Sequence, residues 1–64
     1  MKSLSSRERQ VLKLISDGCS NKQIAFQLDI TEQTVKTQVS IILMKMGANN
    51  RAHAITIAKD AGIV

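Results

Sequence analysis

The side chains that could do covalent or metal chemistry are few in this 64-residue chain. Cys19 is the only cysteine, so no internal disulfide can form, and its place after Gly18 is typical of an inert small residue. His53 has no second ligand or nucleophile near it in the sequence. A chain this short also buries too little surface to shape a deep cleft. The sequence therefore predicts no catalytic chemistry, no metal and no cofactor.

Charge points to a different chemistry, the binding of a polyanion. Lys and Arg number 9 against 5 Asp and Glu, and the net charge of +4 attracts a polyanion and releases the counterions condensed on it. Phe26 is the only aromatic residue, whereas proteins that bind RNA or single strands commonly stack bases on aromatic rings. Double-stranded DNA is therefore the expected partner.

The apolar residues are too dispersed for a membrane segment. The longest uninterrupted apolar run covers residues 41–44, far below the roughly 18 residues that a spanning helix needs. The first residues, MKSLSSRER, contain no apolar stretch of the kind found in signal peptides. Together with the single cysteine, these features predict a cytoplasmic protein.

The elements that must position the polar side chains are predicted to be four helices and no strands. The predicted helices cover about residues 6–17, 21–28, 32–46 and 51–61. Their candidate N-cap residues are Ser5, Ser20, Thr31 and Asn50. The first two begin capping boxes, because Glu8 and Gln23 follow them at a distance of three residues. Glycines close three of the helices: Gly18, Gly47 and Gly62.

The third helix has two different faces at about 100° per residue. Its apolar stripe consists of Val35, Val39, Ile42, Leu43 and Met46. The opposite side carries Lys36, Thr37, Ser40, Ile41 and Met44. Because the stripe has the width of a core-facing surface, we expect it to pack on the first two helices and to leave the other side in solvent.

Helices two and three, with the short connection over residues 28–31, form a predicted helix-turn-helix. Ala25 is small enough for the two helices to approach closely, and Ile24 and Val35 fill the angle between them. In such a unit the first helix braces the second, which enters the major groove of DNA. The predicted fold class is all-α, a four-helix bundle with a central helix-turn-helix.

A longer pattern covers almost the whole chain without gaps. It is the run LSSRERQVLKLISDGCSNKQIAFQLDITEQTVKTQVSIILMKMGANNRAHA. This run resembles the LuxR-type (FixJ/NarL) DNA-binding domain of bacterial transcription regulators, whose usual pattern is LTxREREVLxLIAxGxSNKEIAxxLxISxxTVKxHVxxIxxKLGVxNRxEA. The resemblance implies one domain over residues 1–64, expected to be the C-terminal domain of a larger regulator such as a response regulator, with a stand-alone regulator of this type as the alternative.

The same resemblance places the base-reading positions on Lys36, Thr37 and Ser40, which also lie on the exposed side of the third helix. Lys36 can donate to guanine or to phosphate, Thr37 can offer a hydroxyl or a methyl group, and Ser40 a hydroxyl. Contacts with the DNA backbone are implied for Thr31, Thr34, Lys45, Asn50 and Arg51. Lys22 is either a further phosphate contact or an ordinary surface lysine.

The chain departs from the family pattern at three positions near this surface. Gln38 replaces the usual His, so any role of that imidazole is lost. Met46 replaces Leu, a volume-conserving change that we expect the core to accept. Ile41 stands where polar residues are common, and with Met44 it either contacts thymine methyl groups or packs against the protein.

Glu8 falls within the apolar arc of the first helix and needs a partner if it is buried. We expect that partner to be the capping box or Arg51. On the fourth helix, the apolar arc of about 160° is wider than one core contact requires. The predicted dimer contact consists of Ala54, Ile57, Ala58 and Ala61. A homodimer on DNA would place two half-sites about 34 Å apart.

The sequence thus predicts sequence-specific binding of double-stranded DNA by a bacterial transcription regulator, with RNA polymerase as a further partner. One alternative is a promoter-binding module like region four of a sigma factor, against which the NNRAHA helix argues. The other is a protein-interaction bundle whose contact surface is Phe26, Ile41 and Met44. Salt separates the protein-interaction bundle from the two DNA-binding possibilities, because phosphate contacts weaken steeply with ionic strength and apolar contacts do not.

Overall fold

The computed structural model describes residues 3–63 and forms four helices within them. They are α1 (Ser6–Ser16), α2 (Asn21–Leu28), α3 (Glu32–Met46) and α4 (Arg51–Asp60). No strand occurs in this part of the chain, so the all-α prediction is confirmed. The helices α1 and α4 end one residue earlier than predicted, because Asp17 and Ala61 serve as their C-caps.

The helix starts follow the predicted caps. The Ser5 hydroxyl accepts from the Glu8 N–H at 3.1 Å, and the Glu8 carboxylate accepts in return from the Ser5 N–H at 2.8 Å. Ser20 and Gln23 make the same reciprocal pair at the start of α2, with the same two distances. Each box satisfies backbone donors that a helix end would otherwise leave unpaired.

The turn between α2 and α3 is made at Asp29, which adopts the left-handed conformation with φ 56°. The next N–H, that of Ile30, donates back to the Ala25 carbonyl at 3.0 Å and closes the end of α2. Aspartate enters this region at some steric cost and does so more readily than most residues with a Cβ. This turn sets the direction in which α3 leaves α2.

The core is a single cluster to which all four helices contribute. Its most deeply buried side chains are Val11, Leu12, Ile24, Val35, Ile42, Ala54 and Ala58, each at most 1% exposed. Leu43, which we expected inside with the rest of its stripe, lies half-buried against the edge of the core, as does Leu14. The long helix α3 packs against α1, α2 and α4, so three helices hold its inner face.

Candidate nucleic-acid interface

The outer face of α3 is polar and open to solvent. Lys36, Thr37 and Ser40 are all exposed, and they lie within an arc of about 100° on the helix surface. The one ion pair within residues 3–63 joins two other side chains, so the Lys36 ammonium is left to solvent. Its three N–H donors are therefore available to an acceptor outside the protein.

Thr37 is more restricted than its exposure implies. Its hydroxyl donates to the Gln33 carbonyl one turn earlier, at 3.0 Å. This bond uses the only hydrogen of the hydroxyl and leaves its lone pairs and the methyl group. Thr37 can therefore accept a hydrogen bond or make an apolar contact with a thymine methyl group, but it offers no free donor.

Two threonines form the N-terminal end of the same helix. The Thr31 hydroxyl accepts from the Thr34 N–H at 3.1 Å and lies 2.9 Å from the Thr34 hydroxyl. Both side chains are exposed. Hydroxyls and N–H groups at a helix start are suited to a phosphate oxygen, whereas the neighbouring Glu32 carboxylate repels one.

The Lys45 ammonium forms an ion pair within the protein. Its Nζ lies 2.8 Å from Glu8 Oε1, with the two side chains 27% and 12% exposed. The predicted pair of Glu8 with Arg51 is therefore wrong, while its capping box is confirmed. The bond from Lys45, and then that from the Ser5 N–H, holds the pKa of Glu8 below its ordinary value. The pair ties the start of α1 to the end of α3.

Arg51 has a comparable role at the start of α2. Its guanidinium donates to Asn21 Oδ1 and to the Cys19 carbonyl, both at 2.6 Å. These bonds join α4 to the loop that precedes the helix-turn-helix. Two of the predicted backbone contacts, Lys45 and Arg51, are thus cations already bonded within this chain.

The polar residues before α4 are also used locally. Asn50 Oδ1 accepts from the His53 N–H at 2.8 Å, and His53 Nδ1 accepts from the Asn49 N–H at 3.0 Å. The half-buried imidazole of His53 therefore holds the backbone of the loop that precedes α4. No sequence spacing indicated this bond, because it runs from a side chain back to the loop backbone. Lys22 lies exposed on α2.

The predicted dimer surface on α4 is only partly available. Ala54 and Ala58 are 1% and 0% exposed and belong to the core of this chain, so their assignment to a dimer contact is wrong. Ile57 is half-buried and Ala61 is exposed. The wide apolar arc thus has a core side and a narrower outer side.

The three departures from the family pattern and the two large apolar residues Met44 and Phe26 differ in how deeply their side chains are buried. Met46 is 6% exposed and occupies the core, as expected for a replacement of Leu. Ile41 is half-buried, whereas Met44 and Phe26 are 74% and 88% exposed. The Gln38 side-chain oxygen is buried without a hydrogen-bond partner among the described residues.

Residues 3–63 contain no group of three or more His, Cys, Asp or Glu side chains that could hold a metal ion. None of the helices described has the length and apolar character to cross a membrane.

Comparison with known proteins gives a consistent result. The profile of the family described as bacterial regulatory proteins, luxR family, matches residues 2–58. The chain is 46% identical over 61 residues to the transcriptional regulatory protein YdfI of Bacillus subtilis, covering 95% of this chain and 29% of that protein. It is 53% identical over 51 residues to the nitrate/nitrite response regulator NarL of Escherichia coli K12, covering 80% and 24%.

Solved structures agree with these relatives. The response regulator ChrA of a heme-sensing two-component system superposes with a TM-score of 0.92 at 41% identity, over 100% of this chain and 32% of that one. The transcription factor GerE superposes with a TM-score of 0.88 at 35% identity, over 97% and 94%. The chain spans less than a third of the two regulators YdfI and NarL. Since the family profile covers nearly all of it, the chain belongs to the LuxR family of bacterial regulatory proteins.

Proposed function

We propose that this chain binds double-stranded DNA in a sequence-specific manner, with α3 in the major groove, as part of a larger transcription regulator. The observation that carries the proposal is the division of α3 into a buried face and an exposed polar face with Lys36 uncommitted. A helix held by three neighbours can present side chains to base edges at fixed positions. Such a regulator acts where the chromosome is, in the cytoplasm.

The exposed residues divide the contacts into two kinds. Lys36, Thr37 and Ser40 read base edges, and Lys22, Thr31 and Thr34 lie exposed for contact with phosphates. The other predicted backbone contacts, Lys45, Asn50 and Arg51, are already bonded within the protein, and we propose no phosphate contact for them. The net charge of +4 adds attraction that does not depend on sequence.

The experiment that tests this function is selection of bound duplexes from a random DNA pool at about 150 mM salt, where non-specific binding is weak. Enrichment of a defined site is expected. A chain that enriches no sequence, and retains no DNA at lower salt either, would contradict the proposal and favour a protein-interaction bundle that uses Phe26 and Met44.

Pairing of two copies on DNA is a finer part of the proposal. The surface left for it is the outer side of α4 around Ile57 and Ala61, which lie about 40° apart on the helix. Two related half-sites at fixed spacing are expected in the selected DNA. Ala61→Glu should abolish the fixed spacing, while Ala52→Glu, an exposed position on the opposite side of α4, should preserve it. Equal behaviour of the two variants would exclude this surface.

RNA polymerase is a further proposed partner of the regulator. The feature that supports a protein contact is Phe26 on α2, whose side chain is 88% exposed beside Lys22 and Gln27. Aromatic side chains are enriched in protein interfaces relative to the rest of the protein surface. Phe26→Ala should leave DNA binding unchanged and weaken retention of RNA polymerase on the bound DNA.

A further inference from the structure

The outer face of α3 exposes one polar side chain that the predicted base-reading set does not include. Gln33 is the second residue of α3 and is exposed. At about 100° per residue it lies between Ser40 and Thr37 on the helix surface, about 20° from the first and 40° from the second. Gln33 is therefore inside the arc of the reading face rather than beside it.

The carboxamide of Gln33 is not committed within the protein. Among residues 3–63, the side-chain hydrogen bond that reaches Gln33 ends on its backbone carbonyl, which accepts from the Thr37 hydroxyl. The amide donor and acceptor at the tip of Gln33 therefore remain for an external group. Residues at the N-terminal end of a recognition helix also come nearest to the base edges.

Adenine is the base that a carboxamide recognises. Its N7 accepts and its N6 donates in the major groove, and the amide group of glutamine matches both at once. None of the predicted reading residues presents a donor and an acceptor on separate atoms, because Lys36 only donates, the Thr37 hydroxyl has used its hydrogen and the Ser40 hydroxyl is a single oxygen. Extending the proposed function on which it rests, we propose that Gln33 is a specificity-determining residue that reads an adenine.

The position of that adenine follows from helix geometry. Gln33 and Ser40 are seven residues apart, or roughly 10.5 Å along the helix axis. Along a helix that lies in the major groove, the contacts follow one another in the order Gln33, Lys36 and Ser40. The adenine should therefore lie at one end of the half-site, with the Lys36 contact between it and the position that Ser40 contacts.

Selection from a random DNA pool with wild type and three variants tests the proposal. Gln33→Ala should lose the adenine preference at that one position, by about 5- to 100-fold, and keep its affinity for random duplexes. Gln33→Arg should change the preference there from adenine to guanine, because a guanidinium matches guanine O6 and N7. Gln10→Ala, at an exposed position of α1, is the matched control and should leave the selected site unchanged.

The outcomes separate this inference from the proposed function. If wild type selects a site and Gln33→Ala selects the same site, or loses affinity equally on all duplexes, the assignment of Gln33 is wrong while DNA reading stands. If wild type selects no site, both fail. Alanine favours helix more than glutamine does, so α3 should persist in Gln33→Ala, and circular dichroism verifies this.

Discussion

The inner face of α3 contributes buried side chains such as Val35 and Ile42, both 0% exposed, whereas the outer face leaves Lys36, Thr37 and Ser40 in solvent. The apolar side chains are held by α1, α2 and α4. The polar side chains make few hydrogen bonds within residues 3–63. The main one runs from the Thr37 hydroxyl to the Gln33 carbonyl. Stability and recognition can therefore be changed separately on one helix.

Two lysines of this helix differ in the same way, because one is bonded within the protein and the other is exposed to solvent. Lys45 lies at the C-terminal end of α3 and is paired with Glu8, whereas Lys36 lies exposed two and a half turns earlier without an ion pair. Both carry the same side chain, and the resemblance assigned both to DNA. The structure gives the first a role in joining two helices and leaves the second for an external acceptor.

The largest expected effect comes from the inner face. Ile42→Ala removes a fully buried side chain beneath α3 and should lower the free energy of unfolding by about 2–5 kcal/mol. That is a large part of the total for a chain of this size. Urea denaturation followed by circular dichroism measures it, since the chain has neither Trp nor Tyr. A loss below about 1 kcal/mol would show that the inner face is not the support of the helix.

A smaller effect is expected where a cation is held by the protein. Arg51→Ala removes two hydrogen bonds, to Asn21 and to the Cys19 carbonyl, and should cost about 1–3 kcal/mol of stability. Because the guanidinium is already committed, the slope of log affinity against log salt should match that of wild type. A slope reduced by about 1 would instead identify Arg51 as a phosphate contact.

The smallest expected effect concerns the Glu8–Lys45 pair. The pKa of Glu8 is lowered in the folded chain, so the stabilisation from the pair is complete above the ordinary pKa of 4.5 and is lost as pH falls through the lowered value. Glu8→Gln keeps an acceptor for the Ser5 N–H and removes the charge. Wild type should be more stable than this variant near neutral pH, and the difference should shrink below pH 4.5. A difference that is constant with pH would contradict the ion pair.

The sequence predicts the helix starts well because their signals are local. The Ser5, Ser20, Thr31 and Asn50 caps act on backbone groups within three residues, and each is found where predicted. The two faces of α3 were also predictable, since the spacing of its apolar residues fixes which side is buried.

The features that sequence could not predict depend on packing between distant residues. The capping box of Glu8 was predicted, but its ion pair with Lys45 was missed and Arg51 bonds elsewhere, because residues 37 positions apart meet only after the helices assemble. On α4 the sequence shows the apolar arc, but the alanines that face the core depend on how that helix packs against the others. In the structure, Ala54 and Ala58 face the core. The base-reading residues remain predictions, which the exposure of Lys36 supports.

The most direct test of the separation between the two faces measures the dissociation constants of wild type and Lys36→Ala at about 150 mM salt, on the selected duplex and on a shuffled one. Lys36→Ala should reduce the preference for the selected duplex by about 1–3 kcal/mol with stability unchanged within about 0.5 kcal/mol. Lys59→Ala, which removes an exposed lysine of α4, should leave that preference intact. Equal losses of Lys36→Ala on both duplexes, or a loss of stability, would contradict a reading face on α3.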